Sequence, residues 1–159
     1  MSSPARSWLN GNVTPNQVHI IRRTFAELTR HEEVAALVFY RRLFELDPAL
    51  RPLFKGDIQE QARKLMEMLG ILIAMLESPH GLDLELRVMG ERHAGYGVKD
   101  EHYATVAGAL LHMLSETLGV EFTPEVRDAW TTLYGAVEAT MKAGAAQMTN
   151  AELPVNRED

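Results

Sequence analysis

Six histidines are the most chemically adaptable side chains in this sequence, because a neutral imidazole can exchange a proton near neutral pH or bind a metal. They are His19, His31, His80, His93, His102 and His112. The sequence contains no His-Glu-x-x-His motif, and its only Glu-x-x-His, Glu77-Ser-Pro-His80, includes a proline. Glycine-rich dinucleotide loops, a Walker loop and a Gly-x-Ser-x-Gly elbow are also missing. An enzyme that works through side chains alone is therefore not indicated.

One histidine has distinctive surroundings. His93 is predicted at the end of a short helix that closes at Gly95 and Gly97, so its ring can point across a cleft. The other ring nitrogen would then bond to backbone carbonyl groups of the preceding turn. A second stretch, from Asp57 to Glu77, is apolar on almost every side and should pack against protein or a large apolar ligand. One imidazole facing an apolar wall is a poor site for a bare ion, but it suits an iron already held by four porphyrin nitrogens.

Composition narrows the class of protein. The chain has 159 residues, 46% hydrophobic and 24% charged, which predicts one globular domain and excludes a disordered polymer. The absence of cysteine excludes disulfide scaffolds, thiolate catalysis and zinc fingers, and it leaves no covalent haem attachment motif. A net charge of −6 disfavours nucleic acid as a partner, because its phosphates repel an acidic surface.

Hydropathy predicts a protein without a membrane partner. Residues 1–12 have no apolar core of signal-peptide length. The longest apolar runs, Met68–Leu76 and Tyr103–Ser115, are shorter than the roughly 20 residues that span a bilayer. We therefore expect a cytoplasmic protein.

Helical periodicity and capping patterns predict an all-α fold of six to eight helices. The predicted helices cover about residues 15–31, 33–46, 57–77, 83–94, 100–118 and 124–148, with a short helical turn through Leu53. Thr14-Pro15 and Asp57 are the clearest starts, whereas Asp47-Pro48 and Ser78-Pro79 are read as stops. The predicted domain covers residues 13–149, between flexible tails at 1–12 and 150–159.

Five blocks at compatible spacing form a pattern that resembles a known family. They are Val38–Phe44, Pro52–Phe54, Gln61–Met66, Arg92–Val98 with His102-Tyr103, and Phe122–Pro124 with Ala129-Trp130 and Tyr134-Gly135. Together they resemble the globins, most closely bacterial single-domain globins related to neuroglobin and to the haem domain of flavohaemoglobins. The resemblance extends from about Thr14 to Met148 and implies a globin fold around a haem pocket.

The resemblance implies haem b as the cofactor and gives roles to particular residues. His93 matches the proximal histidine, which binds the iron, and Phe54 matches the phenylalanine that packs flat on the porphyrin. Leu65 follows Gln61 by one helical turn and would form the apolar wall above the iron. Val98 would line the proximal side.

Tyr40 and Gln61 match the two distal positions. A phenol O–H and an amide N–H can each donate to the outer oxygen of bound O2, and each bond would contribute about 1–1.5 kcal/mol. Glutamine stands where a neuroglobin-like chain has a histidine. Because an amide is a weak iron ligand, the resemblance predicts a ferrous iron with an open sixth position. Ligation of ferric iron by Tyr40 stays an open alternative.

The sequence departs from flavohaemoglobins at the proximal network of histidine, tyrosine and glutamate. Tyr103 matches the tyrosine of that network, but the glutamate position falls on Ala145. An incomplete network argues against a strongly peroxidase-like iron, since the network makes the imidazole more anionic.

Reversible O2 binding, for transport or storage, is therefore the predicted function, with NO and CO as further ligands. Nitric oxide dioxygenation is the alternative, because it also requires polarised O2. The sequence offers no reductase, so turnover would need an external one as a partner. A gas or redox sensor read by another protein is the third interpretation.

Overall fold

A computed structural model describes residues 13–155, with the side chains of residues 79–80 and 148–155 excepted. The six α-helices within these described residues are α1 (Pro15–Thr29), α2 (Glu32–Leu46), α3 (Ile58–Ala74), α4 (Pro79–Gly95), α5 (Asp100–Leu118) and α6 (Pro124–Val155). Short 3-10 segments cover Pro48–Leu53, Met75–Glu77 and Gly119–Glu121. Within this described range there is no strand, so the predicted all-α class is confirmed.

Side-chain caps explain the two helix starts that were clearest in the sequence. The Thr14 hydroxyl accepts from the backbone N–H of Gln17, whose side chain accepts from the N–H of Thr14 in return, both at 3.1 Å. At α3 the Asp57 carboxylate accepts from the N–H of Gln59 at 2.7 Å. Each cap pairs N–H groups that a helix leaves without an intrahelical partner.

Two predicted boundaries differ from the structure. The fourth helix begins at Pro79, four residues earlier than expected, because a proline can occupy the first position of a helix. The last helix continues to Val155 rather than ending near Met148. Of the two predicted tails, residues 1–12 and 156–159 lie outside the described residues.

The helices pack so that α3, α4, α5 and α6 surround one space. The contact between α4 and α6 is the most extensive of any described pair, and α2 packs across both α5 and α3. Trp130 of α6 is buried, and its indole N–H donates to the buried Thr24 hydroxyl of α1 at 2.9 Å. None of the described helices is both long and apolar enough to cross a membrane.

Candidate functional site

An apolar cavity lies in the space that α3, α4, α5 and α6 surround, and one side chain of α2 also lines it. Its walls consist of Phe39 from α2; Leu65, Met68, Leu69, Leu72 and Ile73 from α3; Met89 and His93 from α4; Tyr103, Val106 and Leu110 from α5; and Trp130, Leu133, Tyr134, Val137 and Met141 from α6. The long apolar helix recognised in the sequence thus forms one wall of a cavity. Three methionines in these walls are flexible enough to adjust to a flat ligand.

His93 is held in one tautomer by the last turns of α4. Its Nδ1 lies 2.8 Å from the carbonyl oxygen of Met89, which can only accept a hydrogen bond. Nδ1 must therefore carry a proton, and in the neutral ring this leaves the Nε2 lone pair available to bind a metal. The expected bond to a carbonyl of the preceding turn is confirmed.

The end of α4 is closed directly after this histidine. The carbonyl oxygen of His93 accepts from the N–H groups of Tyr96 at 3.1 Å and Val98 at 3.0 Å. Gly97 lies between them with φ of +96°, a left-handed conformation in which glycine carries no steric penalty. This turn brings Val98 back against the core, where it is half-buried.

The other described histidines lie away from the cavity. His19 and His31 are exposed, and Nδ1 of His102 accepts from the N–H of Lys99 at 2.9 Å. His112 lines a separate surface groove between α2 and α5. The side chain of His80 lies outside the described residues. Among the side chains that are described, His93 is thus the single histidine in the cavity wall.

Leu65 and Tyr103 also line the cavity. The ammonium group of Lys142 lies over the Tyr103 ring, 5.4 Å from the ring centre. The same ammonium group forms a salt bridge with the Glu138 carboxylate at 2.7 Å. Burial raises the pKa of the Tyr103 hydroxyl, and the charge of Asp100 adds to the effect. Tyr103 therefore stays neutral, beside a charged pair on α6 that the sequence analysis missed.

Tyr40 and Phe54 lie in an aromatic cluster with Phe44 rather than in the cavity wall. The Tyr40 and Phe54 rings meet edge to face with centroids 5.3 Å apart, and Phe44 lies 5.7 Å from Phe54. Phe39 connects this cluster to the cavity, because its ring packs edge to face on Tyr40 at 5.0 Å and also lines the cavity. Phe39 was not singled out in the sequence.

The two predicted distal donors are linked to each other and to the loop before α3. The Tyr40 hydroxyl donates to the backbone carbonyl of Gln61 at 3.3 Å, and the Gln61 amide donates to the carbonyl of Lys55 at 2.6 Å. Burial raises the pKa of Tyr40 to about 12, so its hydroxyl keeps its proton. In this structure each donor is engaged with a backbone oxygen and lies outside the cavity lining.

The α6 wall holds the other residues that sequence reasoning missed. Tyr134 lines the cavity, and its hydroxyl donates to the carbonyl of Tyr103 at 2.7 Å. Ala145, where the sequence resemblance predicts the glutamate position of flavohaemoglobins, is half-buried on the same helix but does not line the cavity. A helical spacing of three and four from Trp130 through Leu133, Val137 and Met141 was the signal that could have identified this wall.

The donor set fits a porphyrin-bound iron better than a bare ion. The described residues contain no group of three His, Asp or Glu side chains that could hold a metal. A single imidazole set in an apolar wall could provide one axial ligand, and the wall could provide extensive contact for a flat apolar ring.

Comparison with known proteins identifies relatives across most of the chain. A family model described as Globin matches residues 37–141. Neuroglobin of Danio rerio is 32% identical over 142 residues, which cover 80% of this chain and 89% of that protein.

Among solved structures, an engineered carbene transferase derived from a proposed nitric oxide dioxygenase of Rhodothermus marinus matches with a TM-score of 0.77 and 26% identity. The match covers 87% of this chain and 97% of that one. A hexacoordinated haem protein from an anhydrobiotic tardigrade matches with a TM-score of 0.76 at 15% identity, over 84% of this chain and 96% of that one. The second match concerns the fold alone.

Proposed function

The chain belongs to the globin family, and we propose that it holds haem b through His93 and binds O2 reversibly. Haem binding and a gaseous ligand follow from membership of the family; the type of haem, the choice of O2 and the residue roles are the proposal. The observation that carries it is the His93 ring, which lines an apolar cavity while Nδ1 donates to Met89. When bound, the haem would supply an iron with one coordination position available to a diatomic gas.

His93 would act as the axial ligand through Nε2. The hydrogen bond from Nδ1 to the Met89 carbonyl, at 2.8 Å, fixes the tautomer and the orientation of the ring. Because a carbonyl is a neutral acceptor, it makes the imidazole less electron-rich than a carboxylate would. This favours reversible ligand binding over cleavage of the O–O bond.

The apolar walls would exclude water from the ligand. Leu65 and Phe39 lie on α3 and α2, on the side of the predicted distal residues, and both line the cavity. Phe54 and Val98 are partly buried against the same core. Phe54 would pack flat on the porphyrin, and Val98 would line its proximal side. Dispersion contacts and burial of apolar surface would supply most of the binding energy.

Tyr40 and Gln61 would supply hydrogen bonds to the outer atom of the ligand. Tyr40 should give up its present hydrogen bond more readily than Gln61. The bond from Tyr40 to the Gln61 carbonyl is long, at 3.3 Å, whereas the bond from the Gln61 amide to the Lys55 carbonyl is short, at 2.6 Å. Both side chains would have to leave these backbone acceptors to reach a ligand. With no second described histidine in the cavity wall, the sixth position of the ferrous iron is proposed to stay open.

Absorption spectra of the purified holoprotein test this proposal. Wild type should show a sharp Soret band of the five-coordinate ferrous type that shifts on addition of CO. His93→Ala should lose the axial imidazole and its spectral signature, whereas the control His112→Ala should match wild type because His112 lies in a separate groove. Unchanged spectra in His93→Ala, or a six-coordinate low-spin ferrous spectrum in wild type, would contradict it.

Nitric oxide dioxygenation is the second candidate, favoured by the likeness to the engineered Rhodothermus marinus protein. In that reaction NO and O2 combine with one electron to give nitrate, so a separate reductase must supply the electron. Measurement of NO consumption with an added reductase separates the two functions. Sustained turnover that stops without the reductase supports the dioxygenase, and a single stoichiometric consumption of NO supports reversible O2 binding.

A further inference from the structure

Helices α4 and α6 cross where a glycine of each faces the backbone of the other. A Cβ atom built on Gly90 of α4 would lie 1.9 Å from the carbonyl oxygen of Met141. A Cβ atom built on Gly144 of α6 would lie 2.1 Å from the carbonyl oxygen of Arg87. The two contacts are reciprocal, because Arg87 and Gly90 lie on one face of α4 and Met141 and Gly144 lie on one face of α6.

Backbone conformation does not explain these two glycines. Both are buried and helical, and neither belongs to the glycines with positive φ. Glycine lowers the stability of a helix relative to alanine, so its presence at both positions needs another reason. Gly135, also within α6, would have open space around a Cβ atom, which shows that close approach is confined to the crossing.

The crossing lies next to the residues that orient His93. Met89, directly before Gly90, provides the carbonyl that accepts from His93 Nδ1 at 2.8 Å. Met141, against whose backbone Gly90 packs, lines the cavity together with Met89 and His93. The separation of the two helices therefore sets how far the His93 ring lies from the α6 wall.

We propose that Gly90 and Gly144 are positioning residues that set the placement of His93 for axial ligation. A methyl group at Gly90 would have to move from 1.9 Å to beyond 3.0 Å from the Met141 oxygen, so the helices would separate by about 1 Å. Side chains that bind a ligand tolerate displacements of only roughly 0.5 Å from their binding positions. This inference rests on the proposed role of His93 as the iron ligand.

Gly90→Ala, Gly144→Ala and the control Gly135→Ala in the ferrous holoprotein test the proposal. Resonance Raman spectroscopy reports the iron–imidazole stretching band, and transfer of haem to an excess of a haem acceptor protein reports the rate of haem loss. We expect the two crossing variants to shift or broaden the band and to lose haem about tenfold faster or more. Gly135→Ala should match wild type in both measurements.

Free imidazole distinguishes positioning from a general structural effect. In a His93→Gly background supplied with imidazole, the ligand is no longer attached to α4. Addition of Gly90→Ala to that background should therefore leave the iron–imidazole band and the rate of haem loss unchanged. A tenfold faster loss that persists in this background would assign the effect to the fold rather than to His93.

The outcomes separate this inference from the proposed function. If wild type lacks an iron–imidazole band, the proposed role of His93 fails. If wild type shows the band and the alanine variants reproduce it with unchanged haem loss, only the positioning role fails. Loss of folding in the haem-free form of both crossing variants also contradicts positioning, since the crossing would then be a requirement of the fold.

Discussion

Burial keeps the Tyr40 hydroxyl protonated, so that it can donate a hydrogen bond. Burial among aromatic rings raises its pKa from 10.0 to about 12, so the hydroxyl keeps its proton throughout the neutral range. Above about pH 10 the unfolded chain would release this proton before the folded one. The stability that the neutral hydroxyl contributes is therefore complete below about pH 10 and is lost as the pH rises through about 12.

Tyr40→Phe should raise the O2 dissociation rate about tenfold, the effect of losing one hydrogen bond of about 1–1.5 kcal/mol to the ligand. In wild type this rate should show no titration of Tyr40 between about pH 6 and about pH 9, because its pKa lies far above that range. Stopped-flow displacement of O2 by CO measures both. Tyr96→Phe is the matched control, since Tyr96 is 68% exposed. An unchanged rate in Tyr40→Phe would remove Tyr40 from the donor role.

Single residues differed in how far the sequence could predict them. His93 was predictable because the helix end, the following glycines and the i−4 carbonyl are all local in sequence. The orientations of Tyr40 and Gln61 were not, since each side chain bonds a backbone carbonyl that only the tertiary fold brings near. Phe39 was missed because its neighbour Tyr40 has the more informative polar group. The roles of His93, Tyr40 and Gln61 toward a bound haem all stay predictions.

At the scale of elements, a hydrogen bond joins α5 and α6 within a largely apolar interface. The Tyr134 hydroxyl donates to the Tyr103 carbonyl in the first turns of α5 at 2.7 Å. Burial raises the pKa of Tyr134 well above its usual range. The contact holds two residues of the cavity wall together.

Tyr134→Phe should lower the free energy of unfolding by about 1 kcal/mol, the net contribution of one such hydrogen bond. Urea denaturation of the haem-free protein, followed by circular dichroism, measures the change. The exposed Tyr96→Phe should unfold at the wild-type midpoint. Equal midpoints for all three proteins would show that the contact between the helices contributes no stability.

Helix boundaries were predictable where the signal is local and not where one residue serves two elements. Thr14 and Asp57 bond to N–H groups two or three residues away, so their caps can be read directly from the sequence. Pro79 follows the end of one helical segment and also opens α4, and a proline pattern alone does not show that one residue has both roles. The close approach at Gly90 could not be predicted from the local sequence, because the backbone that Gly90 faces, at Met141, is about 50 residues away in the chain.

At the scale of the whole molecule, Trp130 couples the cavity to the core. Its ring lines the cavity, while its indole N–H donates to Thr24 of α1 on the far side. A ligand in the cavity would therefore contact Trp130, a residue of α6 whose side chain is also hydrogen-bonded to α1. Filling the cavity should stabilise the fold as a unit, since a group that binds only the folded state shifts the unfolding equilibrium.

Haem should accordingly raise the free energy of unfolding by about 2.7 kcal/mol at roughly a hundredfold excess over its Kd. In a Trp8→Phe background Trp130 is the only tryptophan, and titration with haem should quench its fluorescence as the cavity fills. At the same haem concentration His93→Ala should gain at least about 1.4 kcal/mol less, which corresponds to a tenfold weaker affinity. The gain in His112→Ala should equal that of wild type, because His112 lies between α2 and α5 on the surface. Equal stabilisation of His93→Ala and wild type would mean that haem is held by the apolar walls alone, without an axial bond from α4.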